Sequence, residues 1–148
     1  MKHQDPLAME RSAEAISLND LSVNERLQRW ALLLESHEGP VHALDRIEYM
    51  SPRDRRAVRG LNTPMSVAFA DPVFRAQGLT GDTLGETMSF FDLTDHDAHR
   101  MFCDCHYNGS MTGRNLAARL RHHADVRERG TLFQRIARMI FGRRPAAA

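Results

Sequence analysis

Leu27, Trp30, Ala31 and Leu34 recur at the three- and four-residue spacing that lines up one face of a helix. Ahead of them, Ser22 and Glu25 stand three apart. In that arrangement the hydroxyl accepts from the third helical amide while the glutamate reaches back to the cap. The pattern predicts a helix that opens at Ser22 and ends near Ser36. Similar openings recur down the chain. Ser51-Pro52, Thr63-Pro64 and Asp71-Pro72 each join a cap residue to a proline at the first helical position, where its missing N–H is not needed. Gly78 is placed to end the helix opened by Asp71. Thr83 with Glu86 opens a helix carrying Leu84, Met88 and Phe91, and Thr94 opens one expected to run to about Tyr107, before Asn108-Gly109. Thr112 caps a longer helix to about Arg127, with Leu116, Ala117 and Leu120 on its apolar side. After Gly130, Thr131 is expected to cap a last helix to about Phe141.

No two alternating segments joined by Asn-Gly or Asp-Gly read as a hairpin, and no internal repeat is present. The expected fold is therefore all-α: an irregular single-domain bundle of about six to eight short helices. Its expected divisions are a flexible leader over 1–20, a helical core domain over 21–130, and a basic amphipathic C-terminal helix and tail over 131–148.

Composition agrees with this picture. A chain of 148 residues, 42% hydrophobic and 26% charged, can bury a core without disulfides or metal staples. Val and Tyr are sparse beside Ala, Leu, Arg and Met, a balance that favours helix. No apolar run of about 18 residues exists to span a bilayer. Met1 to Asp20 is charged throughout and lacks the apolar segment of an export signal. The expected location is cytoplasmic, with peripheral membrane contact left open, and Cys103 and Cys105 are expected to stay thiols there.

The net charge of +1 hides a strong asymmetry. Residues 112–148 hold nine arginines against Asp125 and Glu128, a net +7, and the rest of the chain nets −6. Such an excess points the C-terminal end toward an acidic partner or toward the acidic remainder of the molecule.

The densest chemistry is the run His96, His99, Cys103, Cys105, His106. On a continuous helix His96, His99, Cys103 and His106 share a stripe about 80° wide, and Cys105 joins Ala98, Met101 and Phe102 on the apolar face. His99 with Cys103, or Cys103 with His106, then offers two-point chelation of zinc. His99 and His106 stand about 10.5 Å apart along such a helix and do not share a site. Further donors would have to come from elsewhere, His122 or His123 for example. With no C-x-x-C pair, no cofactor is expected and zinc is held weakly at most. A reactive Cys103 is disfavoured by its mid-helix position and by Asp97 and Asp104. The chain has no G-x-S-x-G, P-loop or H-E-x-x-H, so no catalytic residue is assigned.

Two interaction readings remain. The helix after Thr112 offers Arg114, Asn115, Arg119 and Arg121 to phosphates and base edges, although the turn before it is long for a helix-turn-helix and the preceding helix is acidic. The segment after Gly130 sets Leu132, Phe133, Ile136 and Ile140 against Arg135, Arg138, Arg143 and Arg144. A cationic amphipathic helix fits an acidic groove or an anionic bilayer. The leading expectation is thus a small helical binding or regulatory protein that docks to a protein partner or anionic membrane through this helix. A nucleic-acid-binding helix pair, or a metal- or thiol-dependent function around His99, Cys103 and His106, is the alternative.

Overall fold

The computed structural model describes residues 20–108 and 111–142. Among them the chain forms seven α-helices and no strand. They are α1 (Val23–Ser36), α2 (Pro52–Arg56), α3 (Pro64–Ala70), α4 (Pro72–Ala76), α5 (Leu84–Phe91), α6 (Asp95–Phe102) and α7 (Gly113–Phe141). Short 3-10 turns lie at Ile47–Tyr49 and Asp104–His106. The all-α bundle expected from the caps is what the chain builds. Ser22, Thr83 and Thr94 each form a reciprocal capping box, with Glu25, Glu86 and Asp97 in the returning role. Ser51, Thr63 and Asp71 cap helices that begin on proline. Among the described residues, no helix is long and apolar enough to cross a membrane.

The first half of α7 lies along α1, and the remaining helices close around that pair. Leu27, Trp30, Ala31 and Leu34 of α1 meet Leu116, Ala117, Leu120 and Ala124 of α7 in one buried cluster, completed by Met65, Phe74, Leu84, Phe91 and Phe102. Trp30 stacks on Phe91 with ring centroids 4.2 Å apart, and Phe91 meets Phe74 edge-on at 5.2 Å.

Gly113 is where α7 approaches α1 most closely: a β-carbon there would collide with the carbonyl oxygen of Leu34. Backbone cannot yield as a side-chain tip does, so Gly113→Ala is expected to destabilise by about 1–3 kcal/mol, the usual range for overpacking. A thermal melt within the range of a neutral surface substitution would show that the two helices slide apart freely.

Two boundaries depart from expectation. The helix opened by Thr94 stops at Phe102, not near Tyr107. Cys103 turns extended (ψ 135°) and forms an isolated parallel bridge with Leu44. Leu44 N–H donates to the Phe102 carbonyl at 2.7 Å, and Asp104 N–H donates to the Leu44 carbonyl at 3.2 Å. A pairing with a segment some sixty residues earlier thus replaces the next helical turn, and nothing local announces it. The second departure is at Gly130, which does not interrupt α7. A glycine costs about 1 kcal/mol relative to alanine inside a helix, too little to stop one already nucleated and anchored. Thr131 accordingly caps nothing: its hydroxyl donates to the Arg127 carbonyl one turn back. The C-terminal amphipathic segment is a continuation of the core helix and not a separate element. The expected leader lies outside the described residues except for Asp20, and so do Arg143 and Arg144.

Candidate functional site

Because the chain leaves helical geometry at Cys103, the stripe expected on one helix face does not exist. The side chains instead gather around the Leu44 bridge. Cys103 is fully buried and Cys105 is exposed, the reverse of the expected assignment. Cys103 Sγ donates to Glu48 Oε2 at 3.0 Å, and Cys105 Sγ donates to Cys103 Sγ at 2.8 Å. His99 Nε2 lies 3.5 Å from Cys105 Sγ. Its other nitrogen, Nδ1, faces His106 Nε2 at 3.1 Å. The two imidazoles, expected two helical turns apart, meet edge-to-face with centroids 4.7 Å apart. One donor atom each from Glu48, His99, Cys103 and Cys105 lies within 4.8 Å of the other three.

Each member arrives by a different route. Glu48 sits in the 3-10 turn that follows the bridge residue Leu44, while His99 is in the last turn of α6. Cys103 is the bridge residue itself, and Cys105 lies in the second 3-10 turn. Of the residues expected to bind metal, His99 and Cys103 fall inside the donor set. His106 stands behind His99. Glu48 and Cys105 were not anticipated, and Glu48 takes the place for which the sequence offered His122 or His123. His123 turns instead toward Asp97, 3.9 Å away. It lines, with His106 and Arg119, an open cleft of about 740 Å³ between α6 and α7.

The electrostatics argue against a catalytic thiol. Burial pushes the Cys103 thiol well above the ordinary range, and its hydrogen bonds with Cys105 and Glu48 push the same way. The bond from Cys103 holds the Glu48 carboxyl below its usual range. Desolvation, followed by His99 and the Arg119 and Arg100 charges, lowers His106, favouring a neutral ring at pH 7. A neutral thiol against a carboxylate is a poor nucleophile.

The arginines proposed for nucleic acid are largely engaged with the chain itself. Arg119 donates to the carbonyls of Arg100 and His106 at 2.9 and 2.8 Å and lies over the Tyr107 ring. Arg121 grips Glu35 of α1 with both ends of its guanidinium, and Arg114 adds its charge near the same carboxylate. Asn115 is exposed beside the Thr112 cap, to which its backbone N–H donates. Residues 103–112 separate α6 from α7, so the pair lacks the tight turn of a helix-turn-helix.

The far end of α7 is different. Ala124 is its last buried residue, and Arg127, which pairs with Asp92 at 2.8 Å, is the last of its side chains described in a bond to the body. From Glu128 to Gly142 every residue is exposed. Phe133 is 71% exposed, Met139 71%, Ile140 65% and Phe141 80%, and Leu132 and Ile136 are also exposed. At 100° per residue these six, with Ala137, occupy about half the helix circumference. Thr131, Gln134, Arg135 and Arg138 hold the other half.

The chain has no match among known protein families, characterised proteins or solved structures.

Proposed function

We propose that the protein is a peripheral membrane-docking protein whose helical core presents the last three turns of α7 to an anionic lipid surface. The observation that carries this reading is the exposure of six large apolar side chains, Leu132, Phe133, Ile136, Met139, Ile140 and Phe141, on a helix that has left the core. An apolar patch of that kind marks an interaction surface. Two features favour lipid over a protein groove. The apolar arc covers about half the circumference, as immersion at the headgroup boundary requires, and not the narrower stripe that a groove buries. After Glu128 the sequence carries only positive charge, at Arg129, Arg135, Arg138, Arg143 and Arg144. Pairing with a second copy would set these charges against one another.

Sedimentation with vesicles tests the reading. Full-length protein is expected to bind phosphatidylserine-containing vesicles and to bind phosphatidylcholine vesicles far less. Binding should fall as salt rises, because exposed charges are screened. A cation near an anionic surface contributes about 1 kcal/mol, so the double change Arg135→Ala with Arg138→Ala should weaken binding about 30-fold. A chain ending at Gly130 loses no buried residue of α7. It should melt within about 10 °C of the parent and no longer sediment with vesicles. Indifference to lipid charge, a salt-insensitive dimer, or capture by a protein with no vesicle binding would each overturn the reading.

A further inference from the structure

Burying Cys103 against Glu48 and Cys105 is poorly compensated by hydrogen bonding alone. A thiol is a weak donor and a weak acceptor, and the three groups share one point with no cationic side chain among them. A divalent cation changes that balance. We propose that Glu48, His99, Cys103 and Cys105 form a structural zinc site closed on four protein ligands, with His106 orienting His99 from outside the ligand set.

The geometry suits the ion. Zinc bonds of about 2.0–2.3 Å in a tetrahedron place neighbouring donors about 3.3–3.8 Å apart. The four donor atoms lie within 4.8 Å of one another, with individual separations of 2.8 Å for Cys103–Cys105, 3.0 Å for Cys103–Glu48 and 3.5 Å for Cys105–His99. The two sulfurs must therefore part by about 1 Å to reach the tetrahedral spacing. Small side-chain adjustments open the cluster around an ion. The donor chemistry selects among metals: two sulfurs and an imidazole suit zinc, whereas magnesium and calcium call for oxygen ligands. Binding displaces the two thiol protons to solvent and leaves both sulfurs as thiolates on the metal. Exposed Cys105 supplies the entry side.

His99 carries the second mark of a metal ligand. Its Nε2 faces the thiol cluster while Nδ1 is held by His106 Nε2 at 3.1 Å. A metal-bound imidazole characteristically donates its other ring N–H to an acceptor, commonly a carboxylate, carbonyl or water, which sets tautomer and ring orientation. Here an unprotonated His106 Nε2 takes that place. The structural consequence is a cross-link. The ion would join the loop between α1 and α2, through Glu48, to the end of α6 and the connector into α7, the segments that the Leu44–Cys103 bridge and the Cys103–Glu48 hydrogen bond now join.

Cobalt(II) and zinc titrations of the full-length reduced apoprotein test this independently of lipid binding. The expected result is one equivalent of cobalt with the intense visible bands of a tetrahedral site and sulfur-to-cobalt charge transfer, bleached by one equivalent of zinc. Zinc should also raise the melting temperature. Cys105→Ser removes an exposed side chain and should leave the apoprotein folded by circular dichroism while abolishing the charge-transfer band or weakening zinc at least tenfold. Glu48→Ala should weaken zinc similarly. His106→Ala should lower affinity by about 10–100-fold with the tetrahedral spectrum retained, the effect of losing an outer partner. Absence of binding, an octahedral spectrum without charge transfer, parental affinity in Cys105→Ser, or reduced protein that ignores zinc and merely oxidises to a Cys103–Cys105 disulfide would overturn the assignment.

Discussion

Trp30→Ala is expected to destabilise the protein by about 3–5 kcal/mol, the range for removing a large aromatic from a packed interior. Trp30 is fully buried. Its ring stacks on Phe91 with an interplanar angle of 20° and tilts against Phe102 at 5.5 Å. Its Nε1–H donates to the Pro64 carbonyl at 3.0 Å, so one side chain ties α1 to α3, α5 and α6. Truncation loses the transfer energy of the ring and leaves a cavity bounded by helices that collapse only partly. A domain of this size has about 5–15 kcal/mol of stability in all, so the variant should lose a large share of it and melt well below the parent. Trp30→Phe should cost less, retaining most of the stacking and losing the hydrogen bond, worth about 1 kcal/mol. Trp30 is the only tryptophan, so urea unfolding of the variants must be followed by circular dichroism. A loss under 1 kcal/mol for the alanine variant would show that the indole is not a core element.

Features governed by neighbouring residues were legible in the sequence. Ser22, Thr83 and Thr94 announce helices because their partners lie three residues on, and Trp30 announces a core because its stripe repeats locally. The misreadings share a different cause. Nothing near Cys103 stops a helix; the stop comes from Leu44, whose pairing with Phe102 and Asp104 is long-range. That one event moved Cys103, Cys105 and His106 off the helix, while His99 stayed on it. Residues two apart diverge by about 200° on a helix and share a side in extended chain, so Cys103 and Cys105 converge only because the helix ends. Glu48 carried no signal at all, lying in a segment without periodicity. Gly130 misled in the opposite sense, since its local cost is outweighed by an anchored helix that needs only to propagate. The amphipathicity of the last turns of α7 was visible but their exposure was not, because whether that face met the core is a long-range matter, decided by the burial of α7 stopping at Ala124.

Asp71→Ala is expected to cost about 2–4 kcal/mol, because one carboxylate serves two elements, α4 and α1. Its backbone N–H closes α3 on the Ala68 carbonyl, while its side chain caps α4 by accepting from Val73 N–H. The same carboxylate accepts two bonds from Arg29 of α1, at 2.6 and 3.0 Å. Losing the cap costs about 1 kcal/mol, and losing hydrogen bonds to a charged group about 1.5–3 kcal/mol. The arginine left behind is not stranded. Its side chain is 30% exposed against 4% for Asp71, so water relieves part of the penalty a fully buried orphan charge would impose. Asp71→Asn separates the contributions: the amide oxygen still caps α4, but it is uncharged and accepts from Arg29 at one position only. Its cost should fall clearly below that of alanine. Salt supplies an independent check. The Arg29–Asp71 pair is shielded from mobile ions and should couple in a double-mutant cycle with Arg29→Ala almost equally at low and high ionic strength. The Arg127–Asp92 pair, whose carboxylate is 71% exposed, should lose most of its coupling in salt. Equal salt sensitivity in the two cycles, or an alanine variant within 0.5 kcal/mol of the parent as surface substitutions are, would mean that the Asp71 side chain is not the joint between α1 and α4.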